Sequence, residues 1–170
     1  MTETNRHRAQ VTRRPLEGWI SLQADAPSLE RIEIASGIRL PRAVGAVVRD
    51  TAVEAFRIGP DDCLLRFGIE LEADMLARLM MAAGDMHAAV TLVSDASAGF
   101  DVTGDDAPAV LAQGCPLDLD SLTADACART LLGRVPMLVV RIEGGFALWV
   151  ERSHASHVQA WLEAAAAGTR

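Results

Sequence analysis

Apolar and polar positions along the chain change their period several times, and each change marks an element. Gly18 to Gln23 reads as a short strand. Asp25-Ala26-Pro27 then opens a helix, because Asp can cap free backbone amides and Pro is tolerated in the first turn. Leu29 and Ile32 mark its inward stripe, and Gly37 suits the left-handed position that ends a helix. Ala52 to Ile58 and Cys63 to Ile69 form a hairpin around Gly59-Pro60-Asp61-Asp62, a turn-forming run. A second helix runs from about Leu71 to Ala83, with Leu76, Leu79, Met80 and Ala83 on one apolar face, and Gly84 stops it.

His87 to Val93 and Phe100 to Thr103 read as strands. Gly104-Asp105-Asp106 starts a third helix, Ala107 to Gln113, with Gly114 as its stop and a turn-rich connection, 116–120, behind it. Three strands follow, Ala126 to Leu132, Pro136 to Ile142 and Phe146 to Val150, the last two joined by Gly144-Gly145. Ser153 is placed to cap a final helix that reaches Ala166 and buries Val158, Trp161, Leu162 and Ala165. Antiparallel hairpins interspersed with helices make an α+β chain. Residues 1–15 read as a flexible basic arm carrying Arg6, Arg8, Arg13 and Arg14, and 16–170 as a single domain.

Composition narrows the function more than the pattern does. Of 170 residues half are hydrophobic and 23% charged, which suits a folded chain. The longest apolar stretch, Val135 to Val140, falls far short of the ~20 residues of a membrane helix. No apolar segment follows the basic residues of the N-terminus, so a cytoplasmic protein is expected. All 16 basic residues are Arg. The absence of Lys excludes a Walker A lysine, a pyridoxal Schiff base and any lysine nucleophile. Tyr is absent too, and a net charge of −7 with so few rings argues against nucleic acid.

Candidate chemistry is sparse. Cys63, Cys115 and Cys127 are odd in number and widely spaced, and read as small buried hydrophobes. His154 and His157 sit three apart with Glu151 nearby, too few ligands for a metal, and read as surface histidines. The acidic pairs Asp61-Asp62, Asp105-Asp106 and Asp118/Asp120 fall at turns and a helix start, where carboxylates satisfy free amides. No glycine-rich dinucleotide fingerprint follows a strand. No catalytic, cofactor-binding or metal residue is assigned to this chain.

One ordered set of residues carries a resemblance. Gly114-Cys115-Pro116-Leu117-Asp118-Leu119-Asp120 is followed by Cys127-Ala128-Arg129-Thr130 and Leu132-Gly133, then Phe146, Val150, Arg152-Ser153 and Trp161-Leu162-Glu163. This resembles the gamma subunit of heterotetrameric sarcosine oxidase. Ile58-Gly59-Pro60-Asp61 is similar to the family's Leu-Gly-Pro-Asp-Glu-Trp turn, and Asp95-x-Ser97 to its Asp-Val-Ser segment. Cys63 stands where a Trp is usual, and Ala98 where a basic or His residue often follows the Ser.

The resemblance implies a fold like the folate-binding domain of glycine-cleavage T-proteins, with mixed, largely antiparallel sheets and flanking helices. It implies an accessory chain without cofactors, beside alpha, beta and delta subunits that hold FAD, FMN, NAD and tetrahydrofolate. Such a complex converts sarcosine to glycine, releasing formaldehyde or methylene-tetrahydrofolate. Arg129, Arg152 and the turn around Pro116 become candidates for subunit contacts or for fixing the fold. Two alternatives remain open: the equivalent subunit of a related N-methyl amino acid dehydrogenase, and a free-standing folate-binding methyl carrier.

Overall fold

A computed structural model describes residues 8–168. These residues form ten strands and four α-helices: β1 (Gln10–Arg13), β2 (Glu17–Ala24), α1 (Ala26–Ser36), β3 (Val47–Arg49), β4 (Val53–Arg57), β5 (Asp62–Gly68), α2 (Glu72–Ala83), β6 (Ala88–Leu92), β7 (Ser97–Thr103), α3 (Ala107–Ala112), β8 (Cys127–Leu132), β9 (Val135–Ile142), β10 (Gly145–Glu151) and α4 (Ala155–Ala166). Every strand pairing among the described residues is antiparallel, giving two five-stranded sheets in an α+β chain. Where the sequence suggested one domain over 16–170, the chain divides into two compact units, one of Leu16–Asp95 and one joining Met1–Pro15 to Ala96–Arg170.

In the unit of Leu16–Asp95 the sheet order is β3-β4-β5-β2-β6. β4 and β5 meet at the expected Gly-Pro-Asp-Asp turn. α1 begins as its sequence predicts: the Asp25 carboxylate accepts from the Ser28 amide at 2.9 Å, and Gly37 closes the helix at φ 65°. Both helices bury one stripe into a core that includes Ile20, Leu22, Ile32, Leu65 and Leu79. The buried face of α2 is Met75, Leu79 and Ala83, whereas Met80, expected inside, is 57% exposed. A tight turn at Ile69–Leu71 delays the start of α2 to Glu72, and the inward stripe falls on Met75, Leu79 and Ala83 at i, i+4 and i+8. β3 was not foreseen, since three residues give no readable period.

The second unit orders its sheet β1-β7-β10-β9-β8. α3 and α4 share one core with Phe100, Val139, Phe146 and Leu148. α4 contributes Val158 and Leu162, about 1.5–3 kcal/mol each when fully buried. The arm expected to be flexible contains a strand instead, because Gln10–Arg13 pairs residue for residue with Phe100–Thr103. Residues 1–7 of the arm, Arg6 among them, lie outside the described part. β7 starts at Ser97, three residues earlier than expected. Ser153 does not cap α4: it sits inside a 3-10 turn, Arg152–His154, and no side chain caps the helix start.

Candidate functional site

Five of the family-like residues meet where α3 ends. α3 runs out at Ala112, and the amides of Gly114 and Cys115 both bond back to the Leu111 carbonyl, at 3.0 and 2.8 Å. The Gly114 carbonyl in turn accepts from the Gly133 amide at 2.7 Å. Gly133 forms the β8–β9 turn at φ 63°, a left-handed conformation that glycine adopts without steric cost. A Cβ on Gly114 would lie 2.7 Å from the Trp161 ring, so glycine is required there by contact with α4. Trp161, expected to be buried, is half-buried against the core. Cys115 is buried, with its sulfur 4.0 Å from the Thr130 hydroxyl. Gly114, Cys115, Thr130, Gly133 and Trp161 therefore join α3, the β8–β9 hairpin and α4.

The next residues turn outward. Pro116 and Asp118 are exposed and Leu117 is partly buried. Asp118 accepts from the Asp120 amide at 3.2 Å, the local bond expected of an acidic residue in a turn. Leu119 and Leu122 anchor the connection in the core.

A residue the sequence reading overlooked holds this connection. Arg141 of β9 donates from Nε to the Leu122 carbonyl at 2.6 Å and from Nη2 to that of Leu119 at 2.7 Å. Its guanidinium lies 4.8 Å from the centre of the Phe146 ring. A charge inside the apolar run from Val135 to Ile142 was the available signal.

Other predicted positions are spread along the sheet. Cys127 is buried at the start of β8. Arg129 is exposed on β8, and among the described residues no side chain pairs with it. Arg152 reaches from the end of β10 to the Ser97 carbonyl at 3.2 Å, and Ser153 beside it is exposed. Arg14, assigned to the arm, instead pairs with Asp101 at 2.7 Å and lies 5.3 Å from the Trp149 ring centre.

In the other unit, buried Arg57 donates to the Pro60 carbonyl and to the Cys63 sulfur, 3.6 Å away, and so braces the Gly-Pro-Asp-Asp turn. Its Nε has no hydrogen-bond partner. Burial pushes the Cys63 thiol above its ordinary pKa, against a smaller downward pull from Arg57. All three cysteines are free and buried, as their spacing suggested. Arg66 ties Glu54 (2.6 Å) and Glu17 together across the sheet.

Open grooves lie among the described residues. One, of about 520 Å³, is lined by Asp105, Pro108, Ala109, Leu117, Asp118 and Asp120, and another, of about 380 Å³, includes Asp25, Asp61, His87 and Ala88. Asp105 also meets Arg8 at 3.4 Å, and Asp106 accepts from the Arg8 amide at 2.7 Å. Among the described residues no cluster of three potential metal ligands occurs, and His154 and His157 gain no third partner of that kind. No described helix is long and apolar enough to cross a membrane.

Comparison with known proteins bears on these residues. No family model matches the chain. Sarcosine oxidase subunit gamma of Corynebacterium sp. (strain P-1) is 33% identical over 135 residues, covering 75% of this chain. The chain is a relative of sarcosine oxidase subunit gamma. It spans 64% of that relative's length, which is less than two thirds. A chain in the structure of heterotetrameric sarcosine oxidase from Corynebacterium sp. U-96, in complex with pyrrole 2-carboxylate, superposes with a TM-score of 0.86 at 25% identity. That match covers 93% of this chain and 83% of the other. The glycine cleavage system aminomethyltransferase T from Bartonella henselae shares the fold, with a TM-score of 0.66 at 14% identity, over 96% of this chain and 50% of its own. Both the resemblance read from the Gly114–Asp120 and Cys127–Gly133 runs and the T-protein-like fold are thereby borne out.

Proposed function

We propose that this chain is the gamma subunit of a heterotetrameric sarcosine oxidase, and that it works by assembly. The observation that carries the reading is the 0.86 TM-score over 93% of the chain against a component of such an enzyme. The 33% identity to a subunit gamma over 135 residues supports it. In this reading the chain joins alpha, beta and delta subunits in the cytoplasm. Those subunits hold FAD, FMN, NAD and tetrahydrofolate and carry out the oxidative demethylation of sarcosine to glycine.

The chain itself supplies a scaffold in place of a catalytic group. Gly114, Cys115, Thr130, Gly133 and Trp161 lock one hairpin and two helices, and Pro116, Leu117 and Asp118 present a shaped turn beside them. Arg129 extends from β8 as an anchor for a carboxylate or carbonyl of another subunit. Arg152 and Ser153 close the end of β7 and β10, and Cys127 fills the start of β8.

The test is purification of the tagged full-length chain from its native cells, followed by a sarcosine oxidation assay on the eluate. Co-purifying yellow flavoprotein chains with sarcosine-dependent activity are expected. A colourless chain recovered alone overturns the subunit reading, and folate titration then tests the methyl-carrier alternative.

A further inference from the structure

We propose that the open edge of β6 receives an extended strand from a partner subunit, with a basic side chain of that strand lying against Asp25 and Asp61. The inference rests on the subunit reading above and gives it a contact surface.

β6 ends its sheet, and among the described residues it pairs only with β2. The Val93 amide donates to the Trp19 carbonyl at 2.9 Å, opposite in register, which identifies that pair as a hydrogen-bonded one. Such pairs alternate along an antiparallel ladder. Thr91 and Ala89 therefore turn their backbone groups towards β2, while those of Val90 and Leu92 point away from the sheet. Among the described residues, no hydrogen bond within the chain engages the outward groups of Val90 and Leu92. Ala89, Thr91 and Leu92 are exposed, Leu92 to 40%.

Natural sheets guard an open edge with charge, proline or extreme shortness. The other terminal strands of the two sheets do so: β1 carries Arg13, β8 carries Arg129, and β3 has three residues ending in Arg49. The segment from His87 to Ser94 contains no Asp, Glu, Arg or Pro. An unguarded edge with aimed donors and acceptors is the template for strand addition.

Charge selects the occupant. At the Ala88 end the edge runs into the groove that includes Asp25, Asp61 and His87, and both aspartates are exposed there. A second copy of this chain, paired antiparallel about Val90, would bring that acidic end against Asp95 just beyond the other end of β6, and the chain already carries −7. A neutral, β-prone strand with Arg or Lys where it meets Asp25 and Asp61 fits both features.

Amide hydrogen exchange on the complex purified through this chain, compared with the full-length chain alone, tests the proposal. Exchange at Val90 and Leu92 should slow by about tenfold or more on assembly, while Thr91 stays protected in both. Leu92→Pro removes an outward N–H without touching the β2 ladder, and Thr91→Lys sets a charge on the edge. Each should reduce recovery of the partner chains about tenfold while the amides at positions 89 and 91 keep their protection in the isolated variant. Asp25→Asn with Asp61→Asn keeps the helix cap and should weaken the salt sensitivity of assembly. A complex that forms with Val90 and Leu92 exchanging as fast as in the free chain overturns the edge proposal and leaves the subunit reading standing. A homodimer protected at β6 overturns the choice of occupant, and failure of any complex to form overturns both readings.

Discussion

The contact between Gly114 and Trp161 can be put to a quantitative test by Gly114→Ala. The added methyl would sit 2.7 Å from Cζ2 and 2.9 Å from Cη2 of the indole, with the Gly133 amide nitrogen at 3.2 Å. The first two distances are inside van der Waals contact, and the ring is a rigid plate packed on the core, so the helix or the turn must move. Overpacking of this kind costs about 1–3 kcal/mol. Replacing glycine restricts the unfolded chain and returns roughly 0.4–1 kcal/mol. The net expectation is a loss of about 1–2 kcal/mol, which for a chain of this size lowers Tm by roughly 2–8 °C. Urea unfolding followed by fluorescence and circular dichroism measures it. Trp161→Leu in the same background removes the obstructing ring, and Gly114→Ala should then cost less than about 0.5 kcal/mol. An equal penalty in both backgrounds, or none in the wild type, refutes the idea that glycine at 114 is required by α4.

Two further perturbations probe other parts of the fold. Arg141→Met removes the bonds to the Leu119 and Leu122 carbonyls and the contact with Phe146, and should cost about 2–4 kcal/mol in urea unfolding. Amide exchange should quicken within 119–126, while unchanged exchange there would show that Arg141 does not hold the connection. For Cys63, desolvation raises the folded thiol pKa, so above the ordinary thiol value the folded state binds more protons than the unfolded one. The stability tied to this group is fully present below that value and is lost as pH rises from it through the raised folded value. Cys63→Ala should flatten the alkaline limb of a stability-against-pH profile, and an unchanged limb would exclude the thiol as its source.

Local elements were legible in the sequence wherever the physics that makes them is local. The Asp25 cap, the Gly37 stop and the Gly-Pro-Asp-Asp turn each depend on a few adjacent residues, and all three occur where the pattern placed them. The β9–β10 hairpin at Gly144-Gly145 is of the same kind. The family-like run from Gly114 was legible as a pattern of residue types, yet its meaning was not. The reason Gly114 must be glycine is a tryptophan 47 positions further on, and the partner of Gly133 is the Gly114 carbonyl.

Features built from distant partners escaped the pattern. A four-residue strand such as Gln10–Arg13 has too short a period to declare itself, and it exists because Phe100–Thr103 offers it a ladder. Met80 fits an ideal helical stripe, but the entry turn of α2 puts Met75 inside instead. Ser153 has the chemistry of a cap, and the chain spends it in a 3-10 turn. Arg14 and Arg141 look like stray charges until Asp101, Trp149 and the 119–122 carbonyls surround them. By itself the sequence determined the α+β class, most element positions and the kinship with sarcosine oxidase gamma, because turn chemistry, period and residue order are written along the chain. Only tertiary structure decided the division into two units, which strands stand at the edges and which charges are engaged. Those outcomes depend on which distant segments meet, and nothing local in a chain records its neighbours in space.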